Sequence, residues 1–376
     1  MAGGAKLPEQ DWEWITAPGL EDPGSGWSVP VLAEGLLRRA VREGASDLHG
    51  EPGAHDVSIR LRCSGELTEL KRVSRDIWPS LVQRLKLLAG LDIADQRRPQ
   101  DGGWSLNVDH RSIDIRLSTM PTLHGEAVVA RLLERDRALL SLDQLGFSPH
   151  VLRALRRVLA QPWGLTVFTG PTGSGKTTSL YALLHELTGE NLSLLTLEDP
   201  IEYRLDGLRQ TAINEAAGLS FAVGLRALLR QDPDVILIGE IRDGETARLA
   251  LRAALSGKRV LTTLHAGDTL GVMPRLLELG LERSLLAGAL CGVVSQRLVR
   301  KRGGQERVAV GEVLEIDESL RDLILAGAPR AAWRQALARM GFVHLAEDAQ
   351  MRLTAGELDP DSLARVLDVT PQEAAA

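Results

Sequence analysis

The chain has 376 residues, of which 44% are hydrophobic and 25% are charged, and this balance is typical of a folded protein with about two domains. The formal net charge of −6 argues against nucleic acid as the main partner, because proteins of that class usually present a basic face. The longest apolar run, residues 285–294, is shorter than the about 20 residues that a membrane-spanning helix needs. The two cysteines, Cys63 and Cys291, stand far apart, which fits a reducing compartment. We therefore expect a cytoplasmic protein that reaches a membrane only indirectly, through a partner.

Residues 1–29 are predicted to form a flexible leader, because prolines and glycines interrupt any periodicity. The sequence does not decide whether its three tryptophans dock on the body or on a partner; they are Trp12, Trp14 and Trp27. From residue 30 an apolar stripe at helical spacing predicts a helix that ends at Gly44. Residues 45–49 then read as a loop that leads into a strand.

Alternating apolar and polar residues further along predict half-buried strands, and a longer run over 78–90 predicts a second helix. The predicted strands are residues 57–61, 113–117 and 128–132. Together these elements indicate a small α+β domain over residues 30–148. On residue chemistry alone, Arg116 and Arg131 are ordinary charges on a strand face.

The sequence Gly-Pro-Thr-Gly-Ser-Gly-Lys-Thr at residues 170–177 has the spacing of a phosphate-binding loop. Its three glycines allow positive φ angles and a close approach of the backbone to phosphates. An apolar strand at 165–169 precedes the loop, and leucines at helical spacing follow it, so a helix N-terminus faces the phosphates. The residues predicted to surround the nucleotide are Gly170, Pro171, Thr172, Gly173, Ser174, Gly175, Lys176, Thr177 and Thr178.

Within this loop Lys176 is predicted to place its charge between the β- and γ-phosphates of ATP, and the Thr177 hydroxyl is predicted to ligate Mg²⁺. Acidic residues follow two further apolar strands, where an α/β sheet places its ligands. Glu198 is a candidate for holding Mg²⁺ or positioning water, although a helix cap or a loop charge is the alternative. Glu240 is the candidate for polarising the attacking water, and Gly239 stands before it where many P-loop enzymes carry an aspartate.

Three further polar residues remain ambiguous on pattern alone. A helix predicted over 219–231 places Arg226 and Arg230 four residues apart on one face, which is also the pattern of a solvated pair. His265 ends the strand predicted at 260–264, and a single histidine in that position is more often structural than catalytic. No partner ligands lie at metal spacing, so a metal role for His265 is not expected.

Several segments in combination resemble the secretion ATPase superfamily, with the type II secretion ATPase (general secretion pathway protein E) and the type IV pilus assembly ATPase as the nearest members. The segments that carry the resemblance are residues 45–49, 91–102, 114–119, 124–131, 198–202, 225–234 and 262–268. The resemblance implies that Arg116 and Arg131 reach towards the nucleotide held by the second domain. It also implies that Arg226 and Arg230 help to join subunits near the nucleotide, where one would act as an arginine finger.

The same resemblance implies that Glu198 belongs to an acidic box and that His265 senses the γ-phosphate. Since the family shares Gly239, metal contact would run through Thr177 and waters, helped by Glu198 and Glu240. Two features depart from the family. The type II enzymes carry two C-x-x-C pairs, which bind zinc, after the Gln-Arg-Leu-Val-Arg segment, whereas residues 301–307 here contain no cysteine, so we expect no zinc. The large N-terminal docking region is expected to be missing or reduced to residues 1–29.

The predicted fold is therefore α/β, with a RecA-like P-loop core over 149–300 after the smaller PAS-like α+β domain and a helical C-terminal subdomain over 301–376. The resemblance implies a homo-oligomeric ring, expected to be a hexamer, that hydrolyses ATP and works through an inner-membrane platform protein to power secretion by pseudopilus or pilus assembly. A pilus assembly or retraction ATPase and a non-catalytic ATP-binding regulator of a secretion system stay open as alternatives. A nucleic-acid motor is the alternative that the acidic charge disfavours.

Overall fold

The structure is a computed structural model that describes residues 28–63, 65–134, 140–304 and 306–367. The three tryptophans of the predicted leader lie outside these ranges. The chain divides into two compact units, Met1–Arg137 and Ala138–Ala376. Among the described residues, no helix is both long enough and apolar enough to cross a membrane.

The first unit is an antiparallel sheet with two helices packed on it. Its helices and strands are α1 (Val29–Arg42), β1 (Ala45–Pro52), β2 (Asp56–Cys63), β3 (Glu66–Ser74), α2 (Trp78–Leu88), β4 (Gln100–Val108), β5 (Arg111–Thr122) and β6 (Gly125–Glu134). In the described part of this unit, six strands form one sheet in the order β3-β2-β1-β6-β5-β4. The apolar stripe of α1 packs with α2 on alternate residues of the strands, so Leu36, Leu81 and Ile59 share one core.

The prediction of a loop at residues 45–49 is wrong, because these residues begin β1 in the middle of the sheet. Its polar residues and Gly50 interrupt the alternation of apolar and polar residues by which a strand is recognised in sequence. Gly50 is needed for packing, since a Cβ there would lie 2.0 Å from the ring of Trp78. The strand conformation is stabilised by backbone pairing with both β2 and β6, although the strand propensity of these residues is low.

A buried ion pair also lies in the first unit. Lys86 of α2 contacts the carboxylate of Glu126 on β6, and both side chains are buried. The Lys86 ammonium donates a second hydrogen bond to the Asp95 carbonyl oxygen at 2.8 Å. This contact holds the segment between α2 and β4 against the sheet.

The second unit is an α/β layer structure. Its helices are α3 (Pro149–Leu159), α4 (Lys176–Leu187), α5 (Phe221–Leu228), α6 (Gly244–Leu255), α7 (Val272–Glu278), α8 (Arg283–Ala289), α9 (Glu318–Ala326), α10 (Arg330–Arg339), α11 (Leu345–Thr354) and α12 (Pro360–Leu367). Its strands are β7 (Gly164–Thr169), β8 (Leu194–Glu198), β9 (Leu208–Ala212), β10 (Val235–Ile238), β11 (Arg259–Leu264), β12 (Leu290–Arg300) and β13 (Arg307–Glu315).

The seven described strands of this unit form one sheet in the order β13-β12-β7-β11-β10-β8-β9. All neighbours are parallel except β12 and β13, which form an antiparallel hairpin. The central strands are buried on both faces, which explains their continuous apolar sequence. The predicted α/β class is confirmed. The expected helical character of 301–376 is wrong for β13, whose apolar run pairs with β12 along its whole length.

Strand order and register place the chemistry at one edge of the sheet. Parallel strands β7, β8, β10 and β11 present their carboxyl ends together, and Ile238 of β10 is in register with both Leu197 of β8 and Thr262 of β11. Thr169 at the end of β7 is in register with Leu264. The phosphate-binding loop and the residues that follow β8, β10 and β11 therefore share one edge, where α/β sheets bind ligands.

Candidate nucleotide site

The loop between β7 and α4 has the backbone that its glycines predict. The φ angles of Gly170, Gly173 and Gly175 are 143°, 78° and 87°, so the expectation of positive φ is confirmed. A Cβ at Gly170 would lie 2.6 Å from the carbonyl oxygen of Gln296 on β12. Glycine is required there both for its conformation and for this close approach.

The loop presents an exposed tip above a fixed base. Pro171, Thr172 and Gly173 are exposed, whereas Ser174 is buried. The Gln296 side-chain amide donates to the Ser174 carbonyl oxygen at 2.7 Å and so anchors the base of the loop. The buried Ser174 hydroxyl has no hydrogen-bond partner among the described residues. A buried hydroxyl without a partner is costly, and it fits a loop built to surround a polar ligand.

The ammonium of Lys176, the first residue of α4, lies inside the curve of the loop. It donates to the carbonyl oxygens of Gly170 at 2.8 Å and Pro171 at 3.0 Å. Burial lowers the pKa of Lys176, the nearby Arg297 guanidinium lowers it further, and the Glu240 carboxylate opposes this shift. The loop thus holds a cation beside the N-terminus of a twelve-residue helix, and both attract a polyphosphate. Thr177 and Thr178 follow in the first turn of that helix.

Glu198 is the last residue of β8, and its carboxylate is buried in a polar cluster. Thr196 donates to one oxygen at 2.5 Å and Gln210 donates to the same oxygen at 3.3 Å, while the Tyr181 hydroxyl donates to the other oxygen. Burial, and then the charge of Glu198, raise the pKa of Tyr181 above its ordinary value. Sequence reasoning missed these three partners. They tie α4 to β8 and β9 directly behind the phosphate-binding loop.

Glu240 follows β10 and is only partly buried, in contrast to Glu198. One of its oxygens accepts a hydrogen bond from Arg242 at 2.5 Å, and Arg242 also donates to Asp199 at 3.2 Å. The His265 ring nitrogen Nε2 lies 4.0 Å from the other Glu240 oxygen, and the His265 side chain is 63% exposed. The hydrogen bond to Glu240 raises the pKa of Arg242. The structure therefore brings Glu240 and His265 together at the open edge of the sheet.

The glycine that replaces the usual aspartate lies where two strand ends approach closely. The Gly239 amide donates to the Leu197 carbonyl oxygen at 2.7 Å, and Thr263 donates to the Gly239 carbonyl oxygen at 2.7 Å. A Cβ on Gly239 would lie 3.3 Å from the Leu197 oxygen and 3.4 Å from the Cα of Glu198. A side chain at position 239 would push against the backbone of Leu197 and Glu198.

The candidate arginines of the second unit lie at the end of α5. This helix ends at Leu228, so the predicted helix over 219–231 is too long. The Arg230 and Gln231 amides bond to carbonyl oxygens three residues back, and Asp232 adopts a φ of 48° before Pro233, which cannot continue a helix. Arg226 pairs with Glu245 of α6, whereas Arg230 stands exposed in the turn after the helix.

The candidate arginines of the first unit lie side by side. Arg116 of β5 is directly opposite Arg131 of β6, and Arg131 is directly opposite Asp47 of β1. Arg131 donates to the Asp47 carboxylate at 3.0 Å and leaves its side chain 64% exposed. Like charges on opposite residues repel, and Asp47 offsets that cost. The sheet thus presents two guanidinium groups in one row.

No group of three or more histidine, cysteine, aspartate or glutamate side chains able to hold a metal ion occurs among the residues that the structure describes.

Three residues that contact the site were not predicted, because the spacing of residues along the sequence does not indicate their contacts; they are Gln296, Arg297 and Arg242. Each of them also contacts a distant segment, as with Gln296 and Ser174, which are 122 residues apart.

Comparison with solved structures supports the same architecture. A pilus retraction motor, PilT with bound ADP, is 26% identical with a TM-score of 0.67 over 90% of this chain and 96% of that chain. The ATPase DotB of Legionella pneumophila has a TM-score of 0.76 at 24% identity over 93% of this chain and 98% of its own, which shows a shared fold. The predicted RecA-like class agrees with these ATPases.

Curated relatives are more similar in sequence. The type II secretion system protein HxcR of Pseudomonas aeruginosa is 40% identical over 92% of this chain and 79% of that protein. The type II secretion system ATPase E of Vibrio cholerae is 48% identical over 72% of this chain, and the match covers 54% of that protein. The family described as type II/IV secretion system protein matches residues 24–365. This chain therefore belongs to the type II/IV secretion system protein family.

Proposed function

We propose that the protein hydrolyses ATP with Mg²⁺ and uses the energy to power protein secretion. The observation that carries the proposal is the phosphate-binding loop at the N-terminus of α4, with Lys176 inside it and Glu240 and His265 at the same sheet edge. These residues fit a magnesium nucleotide. The loop supplies backbone donors and a cation, and Ser174 supplies a buried hydroxyl with no partner among the described residues.

ATP binding would depend on the loop backbone and on Lys176. Lys176 now donates to two loop carbonyl oxygens, and phosphate oxygens are stronger, charged acceptors for the same ammonium. Its lowered pKa reflects mainly burial, so the bound anion would favour the charged form. Thr177 is the proposed Mg²⁺ ligand, and the ion would neutralise charge on the phosphates.

Glu240 is the proposed residue that orients and polarises the attacking water. It is the more open of the two carboxylates, and its partner Arg242 fixes one oxygen while the other faces His265. His265 would contact the terminal phosphate through its exposed ring. Glu198 would act from behind the loop, because its three hydrogen-bond donors hold α4 on the sheet. Phosphoryl transfer depends mostly on alignment and charge stabilisation, which such a rigid arrangement supplies.

A homo-oligomeric ring, which we propose to be a hexamer, would complete the site. The row of Arg116 and Arg131 and the exposed Arg230 each present guanidinium groups suited to phosphate. Arg226 would first have to leave Glu245. We propose that the ring acts in the cytoplasm on an inner-membrane platform protein, by analogy with relatives named as type II secretion proteins. The likeness to a pilus retraction motor keeps a pilus ATPase as the second candidate.

The test is steady-state phosphate release with Mg-ATP, measured across protein concentration. Turnover per subunit should rise as the protein assembles, and Lys176→Ala and Glu240→Gln should abolish it. Lys301→Ala and Glu278→Gln are matched controls, because both side chains lie in surface ion pairs. Nucleotide binding is measured in parallel by equilibrium titration.

The outcomes separate the candidate functions. Unchanged turnover in Lys176→Ala or Glu240→Gln would contradict the proposed mechanism. Binding without turnover at any concentration would favour a non-catalytic regulator. Hydrolysis that single-stranded nucleic acid stimulates in a salt-sensitive way would instead indicate a nucleic-acid motor.

A further inference from the structure

The loop that follows His265 is attached to the phosphate-binding strand and to β12. Thr169, the last residue of β7, both donates to the Ala266 carbonyl oxygen and accepts from the Ala266 amide, each at 2.9 Å. Arg297 of β12 donates to the Gly267 carbonyl oxygen at 2.8 Å. Two consecutive residues of the 266–269 loop therefore move with the elements that carry the candidate nucleotide site.

The next two residues of the same loop are attached to the C-terminal helices. Asp268 pairs with Arg330, the first residue of α10. The Thr269 amide donates to one carboxylate oxygen of Glu312 on β13 at 2.9 Å. The other Glu312 oxygen accepts from the amide of Leu345, the first residue of α11, at 2.9 Å. The 266–269 loop thus links the nucleotide side of the sheet to α10 and α11.

Glu312 can link two segments because its carboxylate has two acceptor oxygens. It is 3% exposed, and each of its oxygens faces a backbone N–H group from a different segment. Charge-assisted hydrogen bonds of this kind are stronger than neutral ones, and the N-terminus of α11 favours a negative charge. A glutamine of the same shape has one acceptor oxygen, so its NH₂ group would face one of the two amides.

We propose that Glu312 is a positioning residue that couples the loop after His265 to α11, so that nucleotide binding changes the C-terminal helices. Thr169 and Arg297 fix the position of the 266–269 loop at the nucleotide side. Through Glu312, a change in that position alters the contacts of the first turn of α11. Arg330 forms a parallel link to α10 through Asp268. The inference rests on the proposed binding of ATP, and it assigns a role to residues outside the phosphate-binding loop.

The test is hydrogen exchange of the full chain, followed by mass spectrometry, with and without a non-hydrolysable ATP analogue and Mg²⁺. In the wild type, nucleotide should slow exchange in peptides that cover 266–271, α10 (330–339) and α11 (345–354). In Glu312→Gln, exchange at the α11 N-terminus without nucleotide should be about tenfold faster, and the nucleotide effect on α11 should disappear. Glu315→Gln on the same strand removes a surface ion pair with Arg157 and is the matched control.

Steady-state kinetics supply a second measurement. Glu312→Gln should lower kcat about fivefold to tenfold and leave KM for ATP within about twofold, since the loop around the phosphates is intact. If Glu312→Gln does not fold, Arg330→Ala replaces it. Arg330 is on the surface, and its loss should remove the nucleotide effect on α10 while the protein stays folded.

The outcomes distinguish this inference from the proposed function. An α11 response to nucleotide that persists in Glu312→Gln would overturn the coupling role, as would nucleotide binding that leaves α11 unchanged in the wild type. A wild type that binds no nucleotide in equilibrium titration would overturn the proposed function, and this inference with it. Loss of the response in Glu315→Gln as well would show a general loss of structure and would also refute the specific role.

Discussion

Removing the Tyr181 hydroxyl tests the buried cluster behind the phosphate-binding loop. The hydroxyl donates to a Glu198 oxygen, and it also contacts the side-chain amide of Gln210 at 3.2 Å. Tyr181→Phe keeps the ring, which packs edge-on against Tyr203 with centroids 5.3 Å apart, so no large cavity forms. The substitution therefore removes the donor to a buried carboxylate, together with the acceptor of the Gln210 amide, while the ring packing stays in place.

The expected loss of stability is about 2 kcal/mol, because one oxygen of a buried, charged acceptor loses its donor. For a folded unit of this size, about 2 kcal/mol corresponds to a fall in Tm of about 4–8 °C. A pH dependence adds a second signature. The pKa of Tyr181 is raised in the folded state by burial and then by the charge of Glu198. Its stabilising effect is complete below the unfolded pKa of about 10 and is lost as pH rises towards the folded pKa.

The assay is thermal unfolding followed by circular dichroism at pH 7 to 11. The gap in Tm between the wild type and Tyr181→Phe should be largest near neutral pH and should narrow above about pH 10. Tyr203→Phe is the control, because it leaves all three donors to Glu198 in place. Equal Tm values for Tyr181→Phe and wild type at pH 7, or a gap that widens at alkaline pH, would refute this reasoning.

Two other substitutions follow from the packing. Lys86→Met should lower the free energy of unfolding in urea by about 3–5 kcal/mol, because it leaves Glu126 buried without its cation. Adding Glu126→Leu should recover most of that loss. A double variant that stays as unstable as Lys86→Met would contradict the ion-pair explanation. Gly170→Ala should abolish nucleotide binding in a fluorescence titration, because its Cβ would lie 2.6 Å from the Gln296 carbonyl oxygen, whereas Gly189→Ala should bind normally. Normal binding by Gly170→Ala would show that the loop tolerates a side chain there.

Local sequence was sufficient for the centre of the second unit. The strand predicted at 165–169 is β7 with one added residue, and the predicted helix after the loop is α4. Glycine spacing and leucine periodicity act over a few residues, so one sequence window contains the whole signal. The strand-end rule for α/β sheets also predicts that Glu198 and Glu240 lie at the edge where ligands bind.

Contacts between distant segments could not be predicted in this way. Residues 45–49, which are mostly polar or small, predict a loop that leads into a strand, yet they begin β1 because they pair with β2 and β6. β13 was hidden in a segment expected to be helical for the same reason, since its partner β12 supplies the ladder. The donors to Glu198 come from α4, β8 and β9, and the spacing of residues along the sequence does not predict contacts between such separate elements.

The two carboxylates at neighbouring strand ends have different environments, and this difference supports the different roles proposed for them. The Gly239 amide bonds to Leu197, and β8 and β10 are in register, so Glu198 and Glu240 lie at neighbouring strand ends. Glu198 is buried, and both of its oxygens are occupied by donors within the core. Glu240 has one oxygen held by Arg242 and the other turned towards the exposed ring of His265. A carboxylate that must meet a water molecule needs an open side, and a carboxylate that fixes a helix needs none, which supports the proposal that Glu240 polarises the attacking water and Glu198 positions α4.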